Sequence, residues 1–208
     1  MSQKVLGAAL TATARKESRI VLLEDGKKPR VVTSHRFWVD EELQRFVNAH
    51  LPQVVAIGSS LSLPHGLHCL DSTCSCAPKS NKKGRQAEQE LAKLQLSVFY
   101  TSKDTIAKSL IERGIGLASM LRKDGATVIE TYPHATEVLL FDNVPRKKSP
   151  EKVPFLRKAL GQKIEGIDAI ERVDGLMCQA LLSAYTAWLY VHGETKGMGD
   201  KAEGLIIV

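Results

Sequence analysis

Short apolar runs bounded by turn residues recur along the chain. Runs of about four to eight residues that are rich in Val and Ile are typical of β-strands. A polar segment and an Asp-Gly turn separate the first three runs, which predicts an antiparallel meander. The fourth and fifth apolar runs have the character of buried parallel strands. The predicted strands are Val5–Thr13, Arg19–Leu23, Arg30–Ser34, Val54–Ile57, Thr127–Glu130 and a short final strand at Leu205–Val208.

Apolar residues spaced three and four positions apart predict helices between and after these strands. In the first helix, Asp40–His50, the apolar positions Leu43, Phe46 and Val47 share one face, and Asp40 is a suitable N-cap. The other predicted helices are Gln86–Leu96, Asp104–Lys123, Lys152–Leu160, Gly166–Ile170 and Arg172–Val191. Strands followed by alternating strands and helices are typical of an α/β domain with a mixed sheet flanked by helices.

Length and composition exclude several classes of protein. The chain has 208 residues, of which 43% are hydrophobic and 25% charged, so a single domain with a full core is expected. No apolar run reaches the length of a membrane span, and the first residues lack the apolar region and cleavage site of a secretory signal. We therefore expect a cytoplasmic protein without membrane contact. No pattern in the chain indicates an oligomeric state.

The charge of the chain is moderately basic and is clustered. Its 29 Lys and Arg against 23 Asp and Glu give a net charge of +6. One cluster comprises Lys79, Lys82, Lys83 and Arg85, which predicts phosphate contacts with nucleic acid. The alternative is a solvated basic loop. Aromatic residues make up only 5% of the chain, so base stacking is poorly supported.

Two carboxylates stand where separate elements can bring them together. Glu130 lies at the end of a buried apolar strand, and Asp174 immediately precedes a long apolar helix. Carboxylates that converge from separate elements can bind Mg²⁺ or Mn²⁺, which assist phosphodiester cleavage. In the alternative interpretation, Glu130 is a buried, hydrogen-bonded strand residue and Asp174 is a helix N-cap.

Several strings in order along the chain resemble one family. They are Val54–Pro64, Ile129–Pro133, Val173–Trp188 and Gly193–Val208. Together they resemble the domain-of-unknown-function 429 family, predicted nucleases of the ribonuclease-H-like fold, over essentially the whole chain. The resemblance implies one ribonuclease-H-like domain over residues 1–208, with a mixed sheet flanked by helices. It also implies divalent metal at one edge of the sheet and hydrolysis of phosphodiester bonds in nucleic acid.

The functional residues of that family are only partly present. Glu130, Asp174, Arg85 and Glu88 match its pattern and are the expected catalytic residues, the first two as ligands of Mg²⁺ or Mn²⁺. The two remaining positions, where the family pattern has aspartates, hold Ala9 and Gly58. Because Ala and Gly provide no metal ligand, a diverged and impaired nuclease is expected. The alternative is a non-catalytic binding protein that uses the same scaffold.

A long loop at about residues 59–85 contains a second candidate site. Cys69, Cys74 and Cys76 lie close together there, with His65 and His68 nearby. Thiolates and imidazoles at this density predict a Zn²⁺ or iron–sulfur site, although Cys-x4-Cys-x-Cys is not a familiar metal-binding pattern. Cys178 is a candidate for the fourth sulfur ligand, and the favoured alternative is that it is a small buried helix residue. A redox-sensitive pair and ordinary loop residues are the alternatives.

Overall fold

The computed structural model of the protein describes residues 3–208. The strands are β1 (Lys4–Ala9), β2 (Ser18–Glu24), β3 (Arg30–Phe37), β4 (Val54–Ile57), β5 (Val128–Thr131), β6 (Gly197–Met198) and β7 (Ile206–Ile207). The helices are α1 (Asp40–His50), α2 (Gln86–Lys93), α3 (Lys108–Lys123), α4 (Pro133–Leu140), α5 (Lys152–Gly161) and α6 (Gly175–Val191), with a 3₁₀ turn at Ile167–Ala169. In this part of the chain, no helix is long and apolar enough to cross a bilayer.

The strands form a seven-stranded mixed sheet in the order β3-β2-β1-β4-β5-β7-β6. The first three strands pair antiparallel, whereas β1, β4, β5 and β7 run parallel to one another. The carboxyl ends of β1, β4 and β5 therefore meet at one edge of the sheet, which we call the carboxyl edge. Loops that follow such strand ends are where α/β proteins usually place their binding sites.

Helices cover both faces of this sheet. Alternate residues of β1 point to opposite faces, as the pleat of a strand requires. Val5 and Ala9 pack in the layer of α6, whereas Leu6 and Ala8 pack in the layer of α1 and α3. Helix α6 is buried on nearly all sides because α4 and α5 cover its outer surface. The predicted mixed sheet flanked by helices is confirmed.

Helix α6 lies directly on strand β1, and Gly7 makes this contact possible. A Cβ atom at Gly7 would stand 2.1 Å from the backbone nitrogen of Ala184 and 2.3 Å from the carbonyl oxygen of Ala180. Backbone atoms in a helix cannot rotate out of the way. Glycine is therefore required at this position for the two elements to pack as they do.

Several predicted boundaries need correction. Strand β1 ends at Ala9 rather than Thr13, because the Thr11 hydroxyl and amide bond to the turn that leads into β2. Val39, not Asp40, is the N-cap of α1, and the Asp40 carboxylate pairs instead with Arg113 at 2.8 Å. Helix α3 begins at Lys108 rather than Asp104.

Two elements were not predicted. Helix α4 has only eight residues and begins with Pro133, which has the backbone angle suited to the first turn of a helix. Strand β6 has two residues and is formed only by pairing with β7. Both elements lie in segments too short to show a hydrophobic period.

Candidate functional site

Arg85, Glu88 and Glu130 form a buried charge cluster beside the carboxyl edge, which we call the Arg85 cluster. Arg85 is the N-cap of α2 and has no exposed surface. Its Nη1 donates to Glu130 Oε2 at 2.8 Å, its Nη2 donates to Glu130 Oε1, and its Nε donates to Glu88 Oε1 at 3.1 Å. The guanidinium thus joins a strand carboxylate to a helix carboxylate.

Nearly every polar atom of the Arg85 cluster has a protein partner. The Leu61 amide donates to Glu130 Oε2 at 2.7 Å, and the Thr101 amide donates to Glu88 Oε2 at 2.7 Å. The remaining guanidinium contacts are the hydroxyls of Ser60 and Ser62. No buried side-chain atom of this cluster lacks a hydrogen-bond partner in residues 3–208, which is the usual state of buried polar groups.

Burial also shifts the pKa values in the Arg85 cluster. It raises the pKa of Glu130 despite the opposing influence of Arg85 and the Leu61 amide. For Arg85, burial alone would lower the pKa, but the two carboxylates outweigh it and raise the pKa above its ordinary value. Arg85 therefore stays charged. Arg85, which was predicted to contact phosphate, has no exposed surface in this structure and is bonded to the two carboxylates.

Asp174 lies at the amino end of α6, where it caps the helix. Its Oδ1 accepts from the Met177 amide at 2.9 Å, and its Oδ2 accepts from Arg19 Nη2 at 2.8 Å. Burial opposes ionisation of Asp174, but the Met177 amide and Arg19 outweigh it and lower its pKa. Arg19 is only 2% exposed, and its Nη1 is buried with no hydrogen-bond partner in residues 3–208.

Glu130 and Asp174 are not brought together. Glu130 is in register with Ile57, which packs in the layer of α1 and α3, and the neighbouring Ile129 packs in the layer of α6. The Glu130 side chain therefore points away from α6, the helix that Asp174 begins. The two carboxylates share no hydrogen-bond partner in the described part of the chain.

The positions of the two missing aspartates are closed by packing. Ala9 is 1% exposed within the layer of α6. A Cβ atom at Gly58 would stand 3.0 Å from Pro133 Cγ and 3.2 Å from Ser183 Oγ, so a carboxylate there needs its neighbours to move. With Glu88 and Glu130 already bonded to Arg85, these residues do not fit a pair of divalent ions at the carboxyl edge.

The long loop does bring metal-ligand side chains together. One ligand atom from each of His68, Cys69, Cys74 and Cys76 lies within 4.8 Å of those from the other three, and all three cysteines are free thiols. Hydrogen bonding from the His68 backbone lowers the pKa of Cys76 to about 6, which favours the thiolate that binds metal. A His/Cys cluster that can hold a metal ion therefore exists in this protein.

Cys178 does not join this cluster. It is 1% exposed in the layer of α6, and burial raises the pKa of its thiol to about 12. Cys178 is therefore the small buried helix residue of the alternative interpretation, and His68 is the fourth ligand-type side chain of the cluster. The density of Cys and His in the sequence indicated the loop, but the pairing of His68 with Cys74 depends on how the loop folds back.

Lysines of the same loop and of α2 line an open groove of about 450 Å³, which we call the basic groove. Lys79, Lys82 and Lys93 line it and are exposed, and exposed Lys83 lies over the ring of Tyr100 beside it. None of these four lysines forms an ion pair with another residue of 3–208.

Three acids also line the basic groove, and backbone amides engage all of them: exposed Asp200 accepts from the Ala202 amide at 2.8 Å, and Glu90 and Glu203 are half-buried. Glu203 accepts from the amides of His65 at 2.9 Å and Gln86 at 2.7 Å, and Glu90 accepts from the Gly199 amide at 2.7 Å. These carboxylates therefore hold the walls of the groove together. The lysine ammonium groups remain available to an anion.

The topology and the layers define a ribonuclease-H-like fold, and solved structures support this class. RuvC of T. thermophilus, solved in complex with a Holliday junction substrate, is similar to this chain with a TM-score of 0.53 and 12% identity, over 92% of this chain and 96% of that one. A second structure of Thermus thermophilus RuvC has a TM-score of 0.50 and 12% identity, over 92% and 97%.

No family model and no curated protein matches the chain. The resemblance to the domain-of-unknown-function 429 family is therefore not confirmed, whereas the ribonuclease-H-like fold that it implied is. At this level of identity the solved structures define the fold and not the activity.

Proposed function

We propose that the protein binds nucleic acid in the basic groove and uses its nuclease-type scaffold without cleaving the bound strand. The observation that carries the proposal is that three exposed lysines line one open groove and a fourth lies beside it, all without an ion pair in residues 3–208. Phosphate contacts by lysine provide most of the affinity of such sites and require no aromatic platform. The similarity to RuvC, which is solved with a Holliday junction, adds a four-way junction to the substrates worth testing.

Binding through these lysines is expected to depend steeply on salt. Replacing Lys79, Lys82 and Lys83 together by Gln should weaken binding to a labelled 20-base-pair DNA duplex across sequences. It should also reduce the slope of log K against log salt by about 3, because each lysine displaces counterions from one phosphate. Fluorescence anisotropy at several salt concentrations measures both quantities, with four-way junctions and single strands as parallel probes.

A matched control is the replacement of Lys27, Lys28 and Lys123 by Gln. These three lysines are also exposed and unpaired, lie away from the basic groove, and change the net charge by the same amount. The control triple should keep most of the affinity and the salt slope. Equal losses in the two triples, or an affinity that does not change with salt, would contradict the proposal.

A second candidate function is Mg²⁺- or Mn²⁺-dependent cleavage of nucleic acid, and one observation favours it. Glu88 and Glu130 line a common cavity at the carboxyl ends of β4 and β5. The cavity measures about 90 Å³, which corresponds to about three water molecules and is too small for a nucleic-acid strand. Cleavage at this place would require the loop of Ser59 and Ser60 to open.

The two candidates make opposite predictions in a cleavage assay. Duplex DNA, RNA, hybrids and four-way junctions incubated with Mg²⁺ or Mn²⁺ should stay intact, to the same extent as with Glu130→Gln protein. This is expected because Arg85 occupies the carboxylates that would bind metal. Metal-dependent products that disappear in both Glu130→Gln and Asp174→Asn would overturn the binding-only proposal and establish the second candidate.

A further inference from the structure

The loop segment of residues 65–79, which we call the cysteine knuckle, is closed at its base. The Lys79 amide donates to the His65 carbonyl at 2.7 Å, so the two ends of the knuckle meet. Inside it, the Asp71 carboxylate accepts from the Thr73 amide at 2.9 Å, which fixes a turn between Cys69 and Cys74. A helix or strand does not stabilise this segment, so the side chains that it encloses must contribute to its shape.

The distances between the enclosed side chains are those of ligands around one tetrahedral ion. A tetrahedral Zn²⁺ with its usual bond lengths places two sulfur ligands about 3.8 Å apart, and a sulfur and a nitrogen ligand about 3.6 Å apart. Cys69 Sγ and Cys76 Sγ are 3.8 Å apart, and Cys74 Sγ and His68 Nε2 are 3.6 Å apart. Two edges of the tetrahedron are thus already formed by the protein.

A disulfide and an iron–sulfur cluster fit these positions less well. A disulfide between Cys69 and Cys76 would use only two of the four side chains and would leave the contact between Cys74 and His68 unexplained. An iron–sulfur cluster separates its ligands by the width of several atoms, whereas these four ligand atoms all lie within 4.8 Å of one another. Three thiolates and one imidazole are a common ligand set of structural zinc.

We propose that His68, Cys69, Cys74 and Cys76 bind one Zn²⁺ ion that holds the cysteine knuckle in shape. Four protein ligands complete the coordination and leave no open position for substrate, so the site is structural. Lys79 ends the knuckle and Lys82 follows it, and both line the basic groove. Zinc therefore fixes one wall of that groove. The importance of this wall for function rests on the proposed nucleic-acid binding.

The test begins with metal content. Protein produced without a His-tag and analysed by inductively coupled plasma mass spectrometry should contain one zinc per chain. Cys74→Ser and His68→Ala should each weaken zinc binding by more than about a hundredfold, since even outer partners of a ligand contribute up to about that factor. Cys178→Ala is the matched control, because Cys178 lies in the core and should leave the zinc content unchanged.

A second measurement remains decisive if a ligand variant does not fold. Cobalt added to metal-free wild-type protein should give the absorption bands of tetrahedral, thiolate-bound Co²⁺, and Zn²⁺ should abolish them. Absence of both zinc and a cobalt spectrum, or a content of iron and sulfide instead, would overturn the proposal. Zinc binding without DNA binding would refute the proposed function alone, whereas DNA binding by protein that takes up no zinc would refute the zinc site alone.

Discussion

Arg85→Met should lower the free energy of unfolding by about 3–5 kcal/mol. The substitution leaves Glu88 and Glu130 buried without their cation, and uncompensated buried charge is among the most destabilising changes known. Without Arg85, no cation opposes the effect of burial on Glu130, and the folded-state pKa of this carboxyl lies further above its unfolded value. Stability of the variant is therefore greatest at low pH and is lost as pH rises. Urea denaturation at pH 5 and pH 8 measures the loss, which should be larger at pH 8.

Two further variants separate charge from packing at this position. Adding Glu88→Gln and Glu130→Gln to Arg85→Met should restore part of the stability, because the buried charges are then gone. Arg36→Met removes an arginine whose side chain is 43% exposed, and should change stability by less than about 0.5 kcal/mol. A loss below about 1 kcal/mol in Arg85→Met would show that the Arg85 cluster is dispensable.

Gly7→Ala should destabilise the protein by more than about 3 kcal/mol. The added methyl would enter the backbone of α6 at Ala180 and Ala184, so the helix must move off the sheet. Thermal and urea unfolding both report this loss. Gly116→Ala is a matched control in α3, where a Cβ atom meets nothing within 4 Å, and should stabilise the protein by about 0.5–1 kcal/mol. Equal effects of the two substitutions would contradict the close contact at Gly7.

The sequence predicted the elements that carry a strong local signal. Strand β4 was recognisable because its four residues are all apolar and buried, and β5 because Val128 and Ile129 begin a strand that is buried throughout. Helix α4 was missed because eight residues contain too few turns to show a period. Its buried Glu137 is held by Lys152, a pairing across 15 positions that no local pattern indicates.

The candidate site was predictable only where its residues are neighbours in the sequence. The density of Cys and His in one loop indicated the cysteine knuckle, because its ligands are neighbours in sequence. The burial of Arg85 was not predictable, since arginine is ordinarily exposed and its partner Glu130 is 45 positions away. Asp174 was identified as a functional residue and also as an N-cap, and the structure shows the cap.

Residues 197–207 connect the edge of the sheet to one wall of the basic groove. The Glu203 carboxylate accepts from the amide at the amino end of α2, the Gly199 amide donates to Glu90, and β7 pairs with β5 in the same segment. A local opening that detaches β7 from β5 would therefore also release the contacts that hold α2 and Glu90. The shape of the groove is thus coupled to the stability of this edge of the sheet.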